Sequence, residues 1–331
     1  MKRGDRMDMI ESAIGALKWV IHLKEGDKML VVVDDERRKI GEAFLEGGRR
    51  IGGDVGLYAL QGRRPFVDVP QDLKEMVKGK DVIINVFTGI PEETPFRIDL
   101  AKIETDAGAK VGHAPGITED MMTNGPMIAD YQKVSDIARR LMAMLKNATT
   151  VHVTAPAGTD IVLSISGRKF DTDVSIEKGH IGNLPSGEIW CAPVEDGADG
   201  TIVCDGSVGN LGQVPSPLRI EVVRGRIESL EGDERSFVSR ISELIHVDEM
   251  ASVIGELGIG VNPMARITGQ LLEDEKAGRT SHIAFGNNEN MPGGKNNSRT
   301  HRDFLFHAPT LVVTYSDGRV GTVMEDGDLR I

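Results

Sequence analysis

No stretch of this chain approaches the roughly 20 consecutive apolar residues that a bilayer-spanning helix needs. Positive charge is in deficit: 39 lysines and arginines stand against 51 aspartates and glutamates, a formal net charge of -12. A nucleic acid or an anionic membrane is thereby disfavoured as a partner, since both call for a basic face. Cysteine is scarce, with Cys191 and Cys204 alone and no Cys-x-x-Cys spacing, which argues against a zinc–thiolate site. The two flank the turn Val194–Thr201, so a hairpin there would set them opposite each other. A cytosolic chain would keep them reduced, and two small core hydrophobes is the preferred reading. His-Glu-x-x-His is absent, which excludes the common zinc-protease helix. No P-loop occurs, and no Gly-x-Gly-x-x-Gly between strand and helix. The glycine clusters Gly47-Gly48, Gly52-Gly53 and Gly258-x-Gly260 are therefore read as turns. The N-terminus is polar and lacks the apolar core of a signal peptide, so the expected compartment is the cytoplasm.

What is present divides into two textures. Met29–Val33 and Asp81–Phe87 are continuous apolar runs of the kind buried on both faces of a sheet. Between them come helical spacing at Ile40, Ala43 and Phe44, stopped at Gly47-Gly48, and a strand at Asp54–Leu60. Lys110–His113 adds a short strand, and Asp130–Asn147 an amphipathic helix. This alternation predicts an open, mainly parallel α/β sheet. From Thr150 onward the strands are short and separated by Gly and Asn turns: 151–154, 160–164, 175–176, 200–204 and 218–223. They predict a largely antiparallel region. One helix, about Asp233 to Val253, delivers the chain to Glu256. The expected organisation is α/β plus α+β: an α/β domain over 1–148 and a metal-binding domain over 149–331.

The second domain carries the most specific chemistry. His301-Arg302-Asp303 heads an apolar run, and Phe304 to Val313 reads as one core strand. Residues i and i+2 of a strand face one side, so His301 and Asp303 can aim an imidazole and a carboxylate at one point. Glu188, Glu256 and His282 stand upstream in loop-rich contexts. Two histidines and three carboxylates suit one or two divalent transition metals. Met291–Thr300 is a polar loop, read as a substrate or lid loop. His113 is read as structural, and Met121, Met122 and Met127 as core filling.

Four stretches resemble the aminopeptidase T family of metallo-aminopeptidases: Asn183-Leu-Pro-Ser-Gly-Glu-Ile-Trp-Cys-Ala-Pro193, Gly255-Glu-Leu-Gly-Ile-Gly260, Asp274-Glu-Lys-Ala-Gly-Arg-Thr-Ser-His-Ile-Ala-Phe-Gly286 and Asn297-Ser-Arg-Thr-His-Arg-Asp303. The resemblance covers the chain from about Thr150 to its end. It implies a dinuclear site held by Glu188, Glu256, His282, His301 and Asp303. Two positions depart from the pattern. Glu289 stands where the family carries a tyrosine thought to assist catalysis, and Gly187-Glu188 where it offers two adjacent glutamates. The chain is also similar to the dihydroxypyridine ring-cleaving dioxygenases of the same fold group, through Pro185-Ser186-Gly187 and the stretches Glu195-Asp196 and Gly200-Thr201. Those enzymes use one iron on two histidines and an aspartate. One of those histidines falls at Glu256 here, and their basic histidine near Gly89.

The function expected is thus a metal-dependent aminopeptidase acting on short peptides with two Zn, Co or Mn ions. Glu188 and Glu289 are its expected catalytic carboxylates, with Glu275 as an alternative spare base. The alternatives are a dioxygenase with one Fe(II) acting on a small aromatic, and a metal-binding homologue with altered catalysis. A homodimer joined mainly through residues 150–331 is expected.

Overall fold

A computed structural model describes residues 8–331. The chain forms two compact units. The first ends at Ser135 and takes back Asp173–Gly187; the second comprises Asp136–Thr172 and Glu188–Ile331. The sequence reading placed one boundary at 148/149; the contacts give an interleaved pair.

The first unit is built on a five-stranded parallel sheet. Its strands are β1 (Lys28–Val33), β2 (Asp54–Ala59), β3 (Val82–Phe87), β4 (Lys110–Pro115) and β8 (Ile181–Asn183), in the order β2-β1-β3-β4-β8. β3 is buried along its whole length, as its apolar run requires. Leu30, Val32, Ile83 and Val111 of the sheet pack with Phe96 and Leu100 of the helix α4 (Thr94–Asp106). The helices α1 (Met9–Trp19), α3 (Gln71–Val77) and α5 (Glu119–Thr123) also belong to this unit, and α6 (Tyr131–Leu145) begins in it but lies mostly in the second. The helix α2 (Arg38–Ile51) runs through Gly47 and Gly48 rather than stopping there, and ends at Gly52 with φ 99°. A Cβ on Gly48 would lie 3.0 Å from Met29 and Val55 side-chain atoms and one on Gly47 3.4 Å from Ala13 and Ile14 of α1, so these glycines serve close packing of α2 on the sheet and on α1, not a turn. Met121, Met122 and Met127 are buried, as core filling predicts.

The second unit holds two sheets. The eight-stranded one contains β5 (Ala148–Thr154), β6 (Asp160–Ser164), β10 (Ala198–Cys204), β13 (Leu218–Val223), β14 (Arg226–Glu231), β18 (Thr310–Tyr315), β19 (Val320–Glu325) and β20 (Asp328–Leu329). The seven-stranded one runs β12-β11-β17-β16-β15-β9-β7. Its members are β7 (Asp171–Thr172), β9 (Glu188–Cys191), β11 (Ser207–Val208), β12 (Gly212–Gln213), β15 (Ile254–Gly260), β16 (Thr280–Gly286) and β17 (His301–His307). Every pairing in these two sheets is antiparallel.

Four local expectations are corrected. The run Phe304 to Val313 is not one strand: Ala308 takes φ 49°, Pro309 has no N–H, and β17 and β18 separate into different sheets. Cys191 and Cys204 do not face each other across a hairpin, because β9 and β10 also part into different sheets; both are free and fully buried. Residues 175–176 form no strand. The helix expected to reach Val253 is α7, Arg235–Leu244. Beyond it, Asp248 accepts hydrogen bonds from the Met250 and Arg299 amides and from Ser298, which fixes a turn where the helix would continue. A second short helix, α8 (Leu271–Asp274), precedes β16. No helix of the described residues is long and apolar enough to cross a membrane.

Candidate metal centre

One face of the seven-stranded sheet gathers all five proposed donors. Side chains alternate between faces along a strand, and directly paired residues share a face. Glu256, Ala284 and Asp303 form one row across β15, β16 and β17; Gly258 and His282 form the next, and Gly286 pairs with His301. Glu188 pairs with Gly260 from β9. The middle of this face is therefore glycine and alanine, and the donors stand around it. The opposite face carries Ile189, Leu257, Ile259, Ile283, Phe285 and Phe304, all buried. Phe285 and Phe304 meet edge-on at 5.8 Å. Burying each such aromatic stabilises the sheet by roughly 2–3 kcal/mol, so the donors ride on a rigid support.

Two features aim the donors. The β15–β16 register shifts between Ile254 and Glu256, a β-bulge at Gly255 that re-directs the Glu256 side chain. Gly258 and Gly260 lie inside β15, not in a turn as their spacing suggested. A Cβ on Gly258 would fall 1.9 Å from His282 Nε2, so the imidazole occupies space that only glycine leaves open.

The distances divide the donors into two groups that share Glu256. Its Oε2 lies 3.0 Å from His301 Nε2, which is also 3.3 Å from Asp303 Oδ1. Its Oε1 lies 3.4 Å from His282 Nε2, which is 3.6 Å from Glu188 Oε2. Glu188, Glu256 and His282 form one triad able to hold a cation, and Glu256, His301 and Asp303 another. His301 Nδ1 bonds the Asn287 carbonyl at 2.8 Å, which leaves Nε2 facing the carboxylates. The set is chemically apt for a divalent transition metal: imidazole nitrogen and carboxylate oxygen, nearly all buried.

Electrostatics follow from crowding. Burial opposes the charged imidazole of His282, but Glu256, Glu188 and Asp303 outweigh it and raise its pKa to about 9. Burial likewise opposes charge on His301, and Asp303 and Glu256 hold it well above the ordinary histidine range. Burial works against ionisation of Glu256 and Asp303; the imidazoles win and pull both carboxyls down. Protons on the histidines thus compensate buried carboxylates, a task a bound cation can take over.

Two neighbours carried little or no weight in the sequence reading. Lys276 is fully buried, and its Nζ lies 2.7 Å from Glu188 Oε1. The same ammonium pairs with Glu275, whose carboxyl is raised by burial despite the Lys276 charge. The only signal for them was the Asp274-Glu-Lys-Ala-Gly278 run before β16. Glu289 is exposed in the turn after Asn288, outside both triads. His307 turns away to Asp205.

The loop from Asn287 to Thr300 is pinned rather than loose. Asn296 donates from its side chain to the Gly286 and Val253 carbonyls and from its backbone amide to Asn288 Oδ1. Arg168 bonds the Gly293 carbonyl and Glu195, and Glu195 accepts from the Lys295 amide.

An antiparallel sheet that presents such a donor set from its strands is an arrangement suited to a metalloenzyme. More narrowly, the chain belongs to the thermophilic metalloprotease (M29) family, which residues 120–329 match. Among curated proteins it is similar to the 2,5-dihydroxypyridine 5,6-dioxygenase of Pseudomonas putida, at 26% identity over 198 residues, 54% of this chain and 55% of that one. It is also similar to aminopeptidase AmpS of Bacillus subtilis, at 24% over 175 residues, 46% of this chain and 42% of that one. The matched region spans about half the length of these relatives. Among solved structures, the Pseudomonas putida dioxygenase superposes with a TM-score of 0.74 at 18% identity, covering 97% of this chain and 96% of that one. Wild-type AmpT from Thermus thermophilus superposes with a TM-score of 0.72 at 17% identity, covering 98% and 99%. At these identities the superpositions establish the fold.

Proposed function

We propose that this protein is a metal-dependent aminopeptidase that removes N-terminal residues from short peptides at a two-cation site. The observation that carries the reading is Glu256, which offers one oxygen to each triad. A carboxylate so placed suits two cations about 3.5–4 Å apart. Glu188 and His282 would complete one position, His301 and Asp303 the other. Family membership and the likeness to AmpS support the reaction class.

Divalent ions in such a site supply polarisation of a carbonyl and a water acidic enough to ionise near neutral pH. The chain's own groups do the rest. Glu275, buried beside Lys276 with a raised pKa, is the proton acceptor we assign. Burial of Glu188, Glu256, His282 and Asp303 over the apolar layer limits water around them, which strengthens the charge interactions among them. We also carry forward a homodimer joined through residues 150–331, checked by sedimentation at micromolar concentration.

The test is hydrolysis of a dipeptide by protein reloaded with Zn, Co or Mn. An N-acetylated copy of the dipeptide should resist. Cleavage of both alike, or of neither, defeats the proposal. The likeness to the dioxygenase favours a second reading, one Fe(II) and ring cleavage. Glu256 opposes it, standing where that resemblance calls for a histidine. Oxygen-dependent turnover with one iron per chain would establish it instead.

A further inference from the structure

The two triads are alike in composition and unlike in surroundings. Around the His282 half, the Lys276 ammonium is fully buried and holds Glu188 Oε1 at 2.7 Å. That oxygen is engaged by a resident positive charge, so Glu188 turns its other oxygen toward His282. His282 Nδ1 is buried with no hydrogen-bond partner among the described residues, so no hydrogen bond anchors the far side of the ring. Around the His301 half the reverse holds. The Asn287 carbonyl anchors Nδ1 at 2.8 Å and leaves Nε2 aimed at the carboxylates. The salt-bridge partners of Glu256 and Asp303 among the described residues are imidazoles alone. Arg302, next in the chain, bonds the Gly209 carbonyl from the other face of β17.

We propose that Lys276 makes the cage unequal: the Glu256–His301–Asp303 half takes a divalent cation first, and the Glu188–Glu256–His282 half holds a second one more weakly. The inference rests on the two-cation reading above. The physical grounds are two. A fixed ammonium a few ångströms from a divalent ion repels it, and in a buried site this repulsion is only partly screened. An imidazole whose second nitrogen is anchored is a better ligand than one left unanchored, and loss of such an anchor typically costs about 10–100-fold in affinity. Both effects weaken the same half. Lys276 is on this account a positioning residue, which sets the order and spacing of the two binding steps.

The experiment is a Co2+ titration of chelator-stripped full-length protein, followed by visible d–d absorption and by equilibrium dialysis. Two steps separated by at least tenfold in affinity are expected. Asp303→Asn should remove the tight step, and Glu188→Gln the weak one while sparing the tight one. Lys276→Gln, which keeps a donor but drops the charge, should narrow the gap by about tenfold; Lys276→Arg should preserve it. If Lys276→Gln does not fold, Lys276→Met, which fills the same buried space without the charge, is read the same way. Two ions of equal affinity in the native protein, or an unchanged gap without the lysine charge, overturn the inference and leave the two-cation site standing. One ion per chain at saturation overturns the two-cation reading and this inference with it.

Discussion

Gly258 and His282 face each other across β15 and β16, and a Cβ on the glycine would fall 1.9 Å from the imidazole Nε2. The glycine has no positive φ to explain it; its role is to leave room. Gly258→Ala should therefore displace His282 from Glu256 and Glu188 without breaking the strand. We expect the affinity of the His282 half for Co2+ to fall at least about tenfold, as loss of ligand orientation does. Dialysis against Co2+ checks this; unchanged affinity would show that the ring accommodates the methyl group.

His301→Ala or Asp303→Ala should abolish binding in the other half and leave the first unit folded. Both residues project from β17 on one face, while Phe304 and Phe306 keep the strand packed. Elemental analysis should show loss of metal, and circular dichroism a retained fold. The thermal midpoint of metal-loaded protein should drop, since cation binding adds free energy to the folded state. Full metal occupancy in both variants would remove these residues from the ligand set.

The two spare carboxylates should separate cleanly. Glu275 is buried against Lys276, whereas Glu289 is exposed in a turn. Glu275→Gln should lower kcat by about 100-fold or more with metal content retained, the scale of a lost general base. Glu289→Ala should leave kcat and KM within about twofold, because surface changes away from a site have small effects. The opposite ranking in steady-state kinetics would return the role to Glu289.

The His301–Asp303 pair was legible because it obeys strand periodicity, whereas Glu188, Glu256 and His282, read in loop-rich contexts and reached through the family resemblance, lie on β9, β15 and β16. His301 and Asp303 sit two apart on a strand, and the apolar run Phe304-Leu305-Phe306 after them marks that strand as buried. What stayed hidden lacks a period. Lys276 and Glu275 lie in the turn between α8 and β16, where spacing says nothing about direction. Gly258 and Gly260 were read as a turn because glycine pairs usually punctuate; here paired strands use them as open floor. β8 was missed because three residues are too short to show alternation, and its partner β4 belongs to a much earlier part of the chain. The overlong helix before Glu256 extended the helical spacing of Phe237, Ile241, Leu244 and Ile245 too far along the chain, where Asp248 makes a turn instead.

A last prediction concerns the first unit. Glu104 of α4 is fully buried, and its carboxyl accepts a hydrogen bond from Asn85 Nδ2 at 2.7 Å. Burial pushes its pKa up to about 8, against 4.5 for an ordinary glutamate, with the Asn85 bond pulling modestly the other way. Between those values the folded protein keeps the proton while the unfolded chain has lost it. The contribution to stability is thus full below about pH 4.5 and is lost as pH rises toward about 8. At pH 7 the loss is on the order of 3 kcal/mol, from about 1.4 kcal/mol per pKa unit. Glu104→Gln keeps an acceptor for Asn85 and removes the titration. Its stability relative to the native protein should therefore rise steadily from pH 4.5 to 8. Denaturant unfolding at several pH values, read by a probe in the first unit, measures this directly. A difference between the two proteins that stays constant with pH would mean that Glu104 is ionised in the folded state.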